Sequence, residues 1–425
     1  MSGTIGSNIG RHSGNIAVTA AGLSWTTAVV TGSTVTVEAA NGYFIDTTSN
    51  TCTITLPSSA EAGDQIVFVD YARTWGTNKI TIDSNGLNFQ GSTDSYTVNY
   101  STVGQSLNIV YSDSTKGWLP VSDDAVADVP TQVQTQKAIF AYGSNASGPF
   151  SLSNLVNSSG VVASDVTGVG TARAGLAAAG YGVDKAIFAY GTTSGASEIV
   201  SMSNLVTNAG VVGSDVSGVG TARSALAAAR YGTQTAIFAY GGTSGKVSMS
   251  NLVNSSGVIA SDVSGVGTAR QNLAAAEYGG ISSRKAIFAY GETSGNVSLS
   301  NLVNTSGVIA SDVTGVGTAR RDLGAAMYGG DKAIFAYGYI SSYSSLSNLV
   351  SNSGVVASDT SGVGSARAGV RAANYGADKA IFAYGYNAYV SMSNLVNSSG
   401  VVGSDVTGVG TDRGSLGAAG YSVSA

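Results

Sequence analysis

The 425-residue chain contains one cysteine, Cys52, and one histidine, His12. A lone cysteine excludes an intramolecular disulfide framework. One cysteine and one histidine cannot make a His/Cys metal cluster within a chain. Charged residues make up 11% of the sequence, under half of the roughly one quarter usual in globular domains. The net charge is −5 and no basic block occurs, which argues against a nucleic-acid partner, because phosphate recognition needs clustered Lys and Arg. No run of eighteen apolar residues is present, so no membrane span is expected. The opening MSGTIGSNIGRHSG has no charged stretch followed by an apolar one, so no secretory leader is expected. Asp64, Asp70 and Asp83 fall among separate turns and make no paired-carboxylate site. No nucleophile–base pair is visible, since the sole histidine lies in the Gly/Ser-rich start. These absences predict no enzyme, no metal and no cofactor.

Glycine is abundant, with 58 residues. Gly and Ser punctuate short β-branched runs, which is an all-β profile. The three tryptophans, Trp25, Trp75 and Trp118, all lie in the first 120 residues. The polar, acidic stretch VSDDAVADVPTQVQTQ (residues 121–136), with Pro130, reads as a linker between residues 1–120 and 137–425. Within residues 1–120, strands are read at NIAVTA, TVTVEAA, YFIDTT, CTITLP, DQIVFVDYA, KITIDS, YTVNY and SLNIVYS. Several alternate apolar and polar residues, as half-buried strands do. Asn41-Gly42 and Asn85-Gly86 predict hairpin turns. The expected fold of this part is a small β-sandwich or a β-rich fibre module.

Residues 137–425 repeat themselves. AIFAYG begins at 138, 186, 236, 286, 333 and 380, and SNLV and a TAR-type segment follow it each time. From the Asn of SNLV to the first residue of TAR the step is 17 in all six units. From TAR to the next AIF it is 15 four times and 18 once, where ISSR is inserted near residue 281. From AIF to SNLV it varies between 14 and 18, so length variation sits in two loops. Each unit fits four short strands: a (GLAAAGY), b (KAIFAYG), c (VSMSNLV) and d (VVASDV). Four antiparallel strands in some 48 residues, repeated, describe a propeller blade. A solenoid would need distinct capping repeats, and none is seen. The first AIFAYG has no a strand before it, and the final a strand, GSLGAAGY (414–421), has no AIFAYG after it. Six complete blades then require the last strand to pair with the first, which also removes a sheet edge.

The per-unit pattern R-x-x-L-A-A-A…K-A-I-F-A-Y-G resembles kelch repeats across residues 137–425. The departures are a double Gly in one unit only, Gly241-Gly242, and no later Tyr…Trp pair. The resemblance implies a kelch-like six-bladed topology and no kelch-family function. Copper-radical oxidases of this fold need Cys and His ligands, and residues 137–425 contain neither. The segment TCTITLPSSAEAGDQIVFVDYA…NKITIDSNGLNFQGS…SLNIVYSDSTKGW (51–118) is similar to a module of bacteriophage tail and head fibres. The Ala-Tyr-Gly repeats are also similar to those of phage structural proteins. These resemblances imply a virion component, a homotrimer, and attachment to other virion proteins through residues 1–120.

The b–c loops differ in length and chemistry on a constant scaffold, and binding tends to reside on such loops. Tyr339, Tyr343, Tyr386 and Tyr389 gather in units five and six, with Glu292 and Lys246 on neighbouring loops. Exposed tyrosines suit stacking on a sugar, so this face is the candidate for binding a host-surface glycan or protein. The competing reading is drift in unconstrained loops. Each unit also carries an Arg (173, 223, 270, 320, 367, 413) and, eight residues earlier, an Asp (165, 215, 262, 312, 359, 405). Six Arg around an axis could hold an anion. Their equal number favours a structural ring, with Asp capping backbone and Arg pairing with Asp or with carbonyls. The repeated Tyr of AIFAYG is expected in the core, and the GVG segments lack the helix and spacing of a phosphate loop. The sequence thus predicts a tail fibre or appendage that attaches to the host, or alternatively a head or tail decoration without a receptor role.

Overall fold

A computed structural model of the chain describes residues 23–92, 98–123, 135–193 and 198–424. His12, Pro130 and the strand expected at 15–20 lie outside the described residues. The chain is all-β: among the described residues one 3-10 turn, Ile281–Ser283, is the sole helical element. No helix there is long and apolar enough to cross a membrane. Two compact units divide the chain, residues 1–131 and 132–425.

The first unit has two sheets around one core. One contains β1 (Ser24–Trp25), β3 (Asn41–Ile45), β5 (Gln65–Asp70), β8 (Ser106–Tyr111) and β9 (Trp118–Ser122), in that order. The other contains β2 (Thr34–Thr36), β4 (Cys52–Thr55), β6 (Ile80–Asp83) and β7 (Val98–Tyr100). From β1 to β6 successive strands alternate between the sheets, and neighbours within each sheet run parallel. This corrects the hairpin expected at Asn41-Gly42, because those residues open strand β3. Gly42 is required there, since a Cβ would strike the Trp25 ring. Asn85-Gly86 does form a tight turn, with φ of 53° and 87°; the chain then makes the Phe89–Trp118 bridge before the next strand, β7, pairs antiparallel with β6. Period-2 alternation sends Ile45, Ile54, Ile66, Phe68, Ile80, Leu107 and Ile109 inward beside Trp75 and Trp118. Gln105 Nε2 donates to Asp123 O, so the first residues of the expected linker pack with this unit.

The second unit contains six three-stranded antiparallel sheets. Sheet one joins an inner strand Gly417–Tyr421, a middle strand Lys137–Ala141 and an outer strand Ser153–Val156. The inner, middle and outer strands of sheet two are Ala177–Tyr181, Lys185–Ala189 and Ser203–Val206; those of sheet three are Ala227–Tyr231, Thr235–Ala239 and Ser250–Val253. Sheet four has Ala274–Tyr278, Lys285–Ala289 and Ser300–Val303. Sheet five has Gly324–Tyr328, Lys332–Ala336 and Ser347–Val350, and sheet six Arg371–Tyr375, Lys379–Ala383 and Ser393–Val396. Sheet one therefore joins the two ends of the repeat region, with Lys137 opposite Tyr421 and Ala141 opposite Gly417.

The dipeptide Ile-Phe explains how neighbouring sheets pack. Adjacent strand residues point to opposite faces, so each middle strand offers Ile to one neighbour and Phe to the other. Ile139 shares a cluster with Phe188, Ile187 with Phe238, Ile237 with Phe288, Ile287 with Phe335, Ile334 with Phe382, and Ile381 with Phe140. The order of interfaces closes on itself. Strict alternation would place the following Tyr on the Phe side. All six tyrosines instead have a left-handed backbone, from φ 62° to 66°, which returns the ring to the Ile side. There Tyr142 meets Phe188 at 5.6 Å between centroids, and the other five pairs match.

Two backbone rings follow the same cycle. Gly175 N–H donates to Ser415 O, Ala225 to Gly175, Asn272 to Ala225, Asp322 to Asn272, Gly369 to Asp322, and Ser415 to Gly369. At the other end of the inner strands Gly182, Gly232, Gly279, Gly329, Gly376 and Ser422 donate to Gln234, Arg284, Asp331, Asp378, Gln136 and Asp184.

The expected fourth strand is not continuous. Segment d meets the outer strand at two bridges only, Ser153–Val166 and Val156–Val162 in the first repeat. Four residues on one side face five on the other, which interrupts a ladder. Asn154 Nδ2 fills the break by donating to Ala163 O at 3.0 Å and Asp165 Oδ1 at 2.9 Å.

Deleting residues 417–425 would strip the inner strand from sheet one and uncover Ile139. Lost burial of Tyr421 and Ile139 costs on the order of 4 kcal/mol. The expected result is a lower Tm and self-association through the freed edge, read by calorimetry and light scattering. Deleting residues 423–425 should change neither.

Candidate functional site

The six Arg and six Asp form inter-repeat latches. Each Arg is buried, from 0 to 1% exposed. Arg173 Nε donates to Tyr190 O at 3.0 Å, Nη1 to Thr171 O at 3.1 Å, and Nη2 to Asn204 Oδ1 at 2.6 Å. Its Cζ lies 4.2 Å from the centre of the Tyr142 ring, which belongs to the preceding sheet. Arg223, Arg270, Arg320, Arg367 and Arg413 repeat this arrangement over Tyr190, Tyr240, Tyr290, Tyr337 and Tyr384. These guanidinium groups are closed to solvent, with donors already engaged inside the protein.

The acid beside each Arg comes from the following repeat and not from eight residues earlier. Arg173 faces Asp215, Arg223 Asp262, Arg270 Asp312, Arg320 Asp359, Arg367 Asp405 and Arg413 Asp165, all at 3.9–4.0 Å. At that distance the main work of Asp215 is to cap Thr171, accepting from its N–H at 3.0 Å and its hydroxyl at 2.7 Å. Burial opposes ionisation of these carboxyls, but hydrogen bonds from Thr or Ser and from Asn, with the Arg charge, outweigh it and hold all six below the ordinary value.

The four loop tyrosines come together. Tyr339 meets Tyr343 at 5.5 Å, Tyr343 meets Tyr386 at 6.3 Å, and Tyr386 meets Tyr389 at 5.9 Å, each edge to face. Narrow loops hold them: Tyr339 bridges Tyr343, and Tyr386 bridges Tyr389. Tyr343 and Tyr389 are each 36% exposed, while Tyr339 and Tyr386 are half-buried. Tyr386 lies against Gly369 and Gly414, where any Cβ would collide with its ring.

A charged layer supports this row. Arg321 stacks 5.0 Å from the Tyr339 centroid and pairs with Glu292 at 3.0 Å and Asp322 at 3.5 Å. Gln271 Nε2 donates to Glu292 Oε1 at 2.7 Å. Asn296 Nδ2 donates to Tyr339 O and Ile340 O, tying loop four to loop five. Burial pushes the Asp322 carboxyl up, against the charges of Arg371 and Arg321 and a hydrogen bond from Tyr386. Burial likewise pushes the Tyr386 hydroxyl up, and Asp322 adds to that. Glu292 thus belongs to the tyrosine face through Arg321. Lys246 does not: it stands on the loop of sheet three and makes no ion pair among the described residues.

Arg321, Asp322 and Arg371 are absent from the sequence-derived candidates, although signals for them existed. Unit four alone doubles the repeat arginine, as Arg320-Arg321, and Arg371 replaces a small residue in an Ala/Gly strand. Among the described residues no three His, Cys, Asp or Glu side chains gather as a metal site. No family model matches the chain, and no curated protein matches it.

Replacing Arg270 by Leu orphans Tyr290 O, Thr268 O and Asn301 Oδ1, at an expected cost of about 3 kcal/mol in urea unfolding. Lys at this position should restore less than half, because an ammonium cannot meet three divergent acceptors. The latch carboxyls titrate lower in the folded state than in the unfolded one. Their stabilisation is therefore complete above about pH 4 and is lost as pH falls through the folded values. Asp312→Asn should make the loss below about pH 4 shallower; an unchanged slope would count against the latch.

Proposed function

We propose that residues 132–425 form a six-bladed, kelch-like β-propeller, and that the chain is a non-enzymatic component of a bacteriophage virion. In this reading it is a tail fibre or appendage. Residues 1–131 attach it to other virion proteins and trimerise it, and the propeller binds a host-surface glycan. The closed cycle of sheet interfaces and the two backbone rings support the propeller. The observation that carries the binding role is the continuous row of four tyrosines confined to two adjacent repeats of six. Scaffold residues recur in every repeat, whereas these rings and their charged support do not.

A tyrosine edge or face against a sugar ring, with carboxylate and guanidinium groups beside it, is suited to a ligand with apolar CH faces and hydroxyl rims. Affinity per copy need only be modest, because many copies on a particle bind together.

The test is binding of the full chain to host cells and to glycans extracted from them. Tyr343→Ala and Tyr389→Ala truncate the exposed rings and should leave Tm nearly unchanged. Each should weaken binding about tenfold, the equivalent of roughly 1.4 kcal/mol. Undiminished binding by the double variant removes the tyrosine face from the reading. Immunogold label on the head and none at fibre tips would turn it to a decoration without a receptor role.

A further inference from the structure

The inner strands differ most at their fourth position. Gly180, Arg230, Glu277, Met327, Asn374 and Gly420 occupy it, each paired with the first Ala of the adjoining AIF. All six line a cavity of about 50 Å³ whose other walls are mostly alanine. Two of the large residues use space that two glycines leave. Arg230 Cδ lies 2.8 Å from where a Gly180 Cβ would stand, and Asn374 Oδ1 lies 2.6 Å from where a Gly420 Cβ would stand. The strands of Gly180 and Gly420 are in contact. Arg230 thus covers Gly180, and Asn374 together with Thr135 Cγ2 covers Gly420, on two neighbouring strands of the same cavity wall.

Their hydrogen bonding is incomplete. Arg230 Nη2 donates to Gly182 O at 2.8 Å and Thr233 O at 3.2 Å. Arg230 Nε has no hydrogen-bond partner among the described residues, with Glu277 Oε2 4.0 Å away. Asn374 Nδ2 has none either. Arg284, next to the ISS turn of the inserted segment, places Nε 2.8 Å from Glu277 Oε2, though without the alignment of a hydrogen bond. Arg230, Glu277, Arg284 and Asn374 are all more than nine-tenths buried. Two guanidinium groups thus face the one buried carboxylate of Glu277, whose Oε2 also lacks a hydrogen bond, while the partly exposed Asp184 acts on Arg230 from further off; poorly matched groups are costly in a desolvated place. Burial pushes Arg230 down to about 10, with Glu277 opposing the fall.

We propose that this axial cavity binds one small monovalent anion of halide size, held by Arg230 Nε and Asn374 Nδ2. The anion supplies the acceptor that both unpartnered N–H groups lack. A cavity of this volume admits a few water-sized species, which suits a halide and no larger organic ligand. The site is independent of the tyrosine face and of any receptor role.

Crystals of the full chain soaked in sodium bromide and measured at the bromine edge should show an anomalous peak within hydrogen-bonding reach of both nitrogens. In solution, exchanging a bulky organic anion for chloride at constant ionic strength should raise the Tm of the repeat unit, by mass action on the folded state. Arg230→Gln should abolish that rise. Glu277→Gln should strengthen apparent affinity about tenfold, by leaving a second guanidinium unmatched. Ordered water or a protein carboxylate at the position, with no bromide peak, overturns the proposal. So does a chloride response that survives in Arg230→Gln. Should that variant fail to fold, the bromide measurement on the unaltered chain decides alone.

Discussion

A guanidinium group removed from water needs acceptors in several fixed directions at once, and each repeat supplies them from its own sheet while the neighbour supplies a ring. Arg173 takes acceptors from Tyr190, Asn204 and Thr171 and rests on Tyr142. This demand fixes several other features. Tyr142 must adopt a left-handed backbone to lie under the Arg. Asn204 must sit in the outer strand, where it also bridges to Asp215. Asp215 must then reach Thr171, which positions the segment that carries the Arg. Six copies of one wedge therefore set the spacing between sheets, and the Ile–Phe contacts fill what the wedge leaves.

The repeated landmarks made the order of strands legible, because AIFAYG, SNLV and TAR recur at constant steps. The half repeats likewise point to the pairing of Lys137–Ala141 with Gly417–Tyr421. Periodicity says which side chains share a face, but it does not say which neighbour that face meets. The acid partner of each Arg therefore lies one repeat further on than sequence spacing suggests, and Asn41-Gly42, which signals a hairpin, opens a strand that runs parallel to its neighbours. The left-handed tyrosines were also hidden, since only Gly, Asn and Asp advertise that conformation in sequence. The interrupted d segment depends on one surplus residue opposite the outer strand, a count that alternation alone does not reveal.

The tyrosine loops were visible as residues, and their contact with one another was not. Tyr339 and Tyr343 belong to one loop, Tyr386 and Tyr389 to the next, and the 6.3 Å approach of Tyr343 to Tyr386 exists only because the sheets lie side by side. The layer below depends equally on neighbouring repeats: Glu292 comes from sheet four, Arg321 and Asp322 from the entry to sheet five, and Arg371 from sheet six. Asymmetry in a symmetric scaffold is concentrated in two places, this face and the fourth inner-strand position.

Closure of sheet one has a consequence for the order in which the chain folds. Lys137–Ala141 is the first repeat strand to be synthesised, and its inner partner, Gly417–Tyr421, is the last. Sheets two to six are each formed from contiguous chain and can assemble as they emerge. Sheet one cannot, and its formation carries the longest loop-closure entropy in the unit. Emergence of Gly417–Tyr421 is thus the event that completes the remaining sheet after the other five, and this strand acts as the timing element of the repeat region.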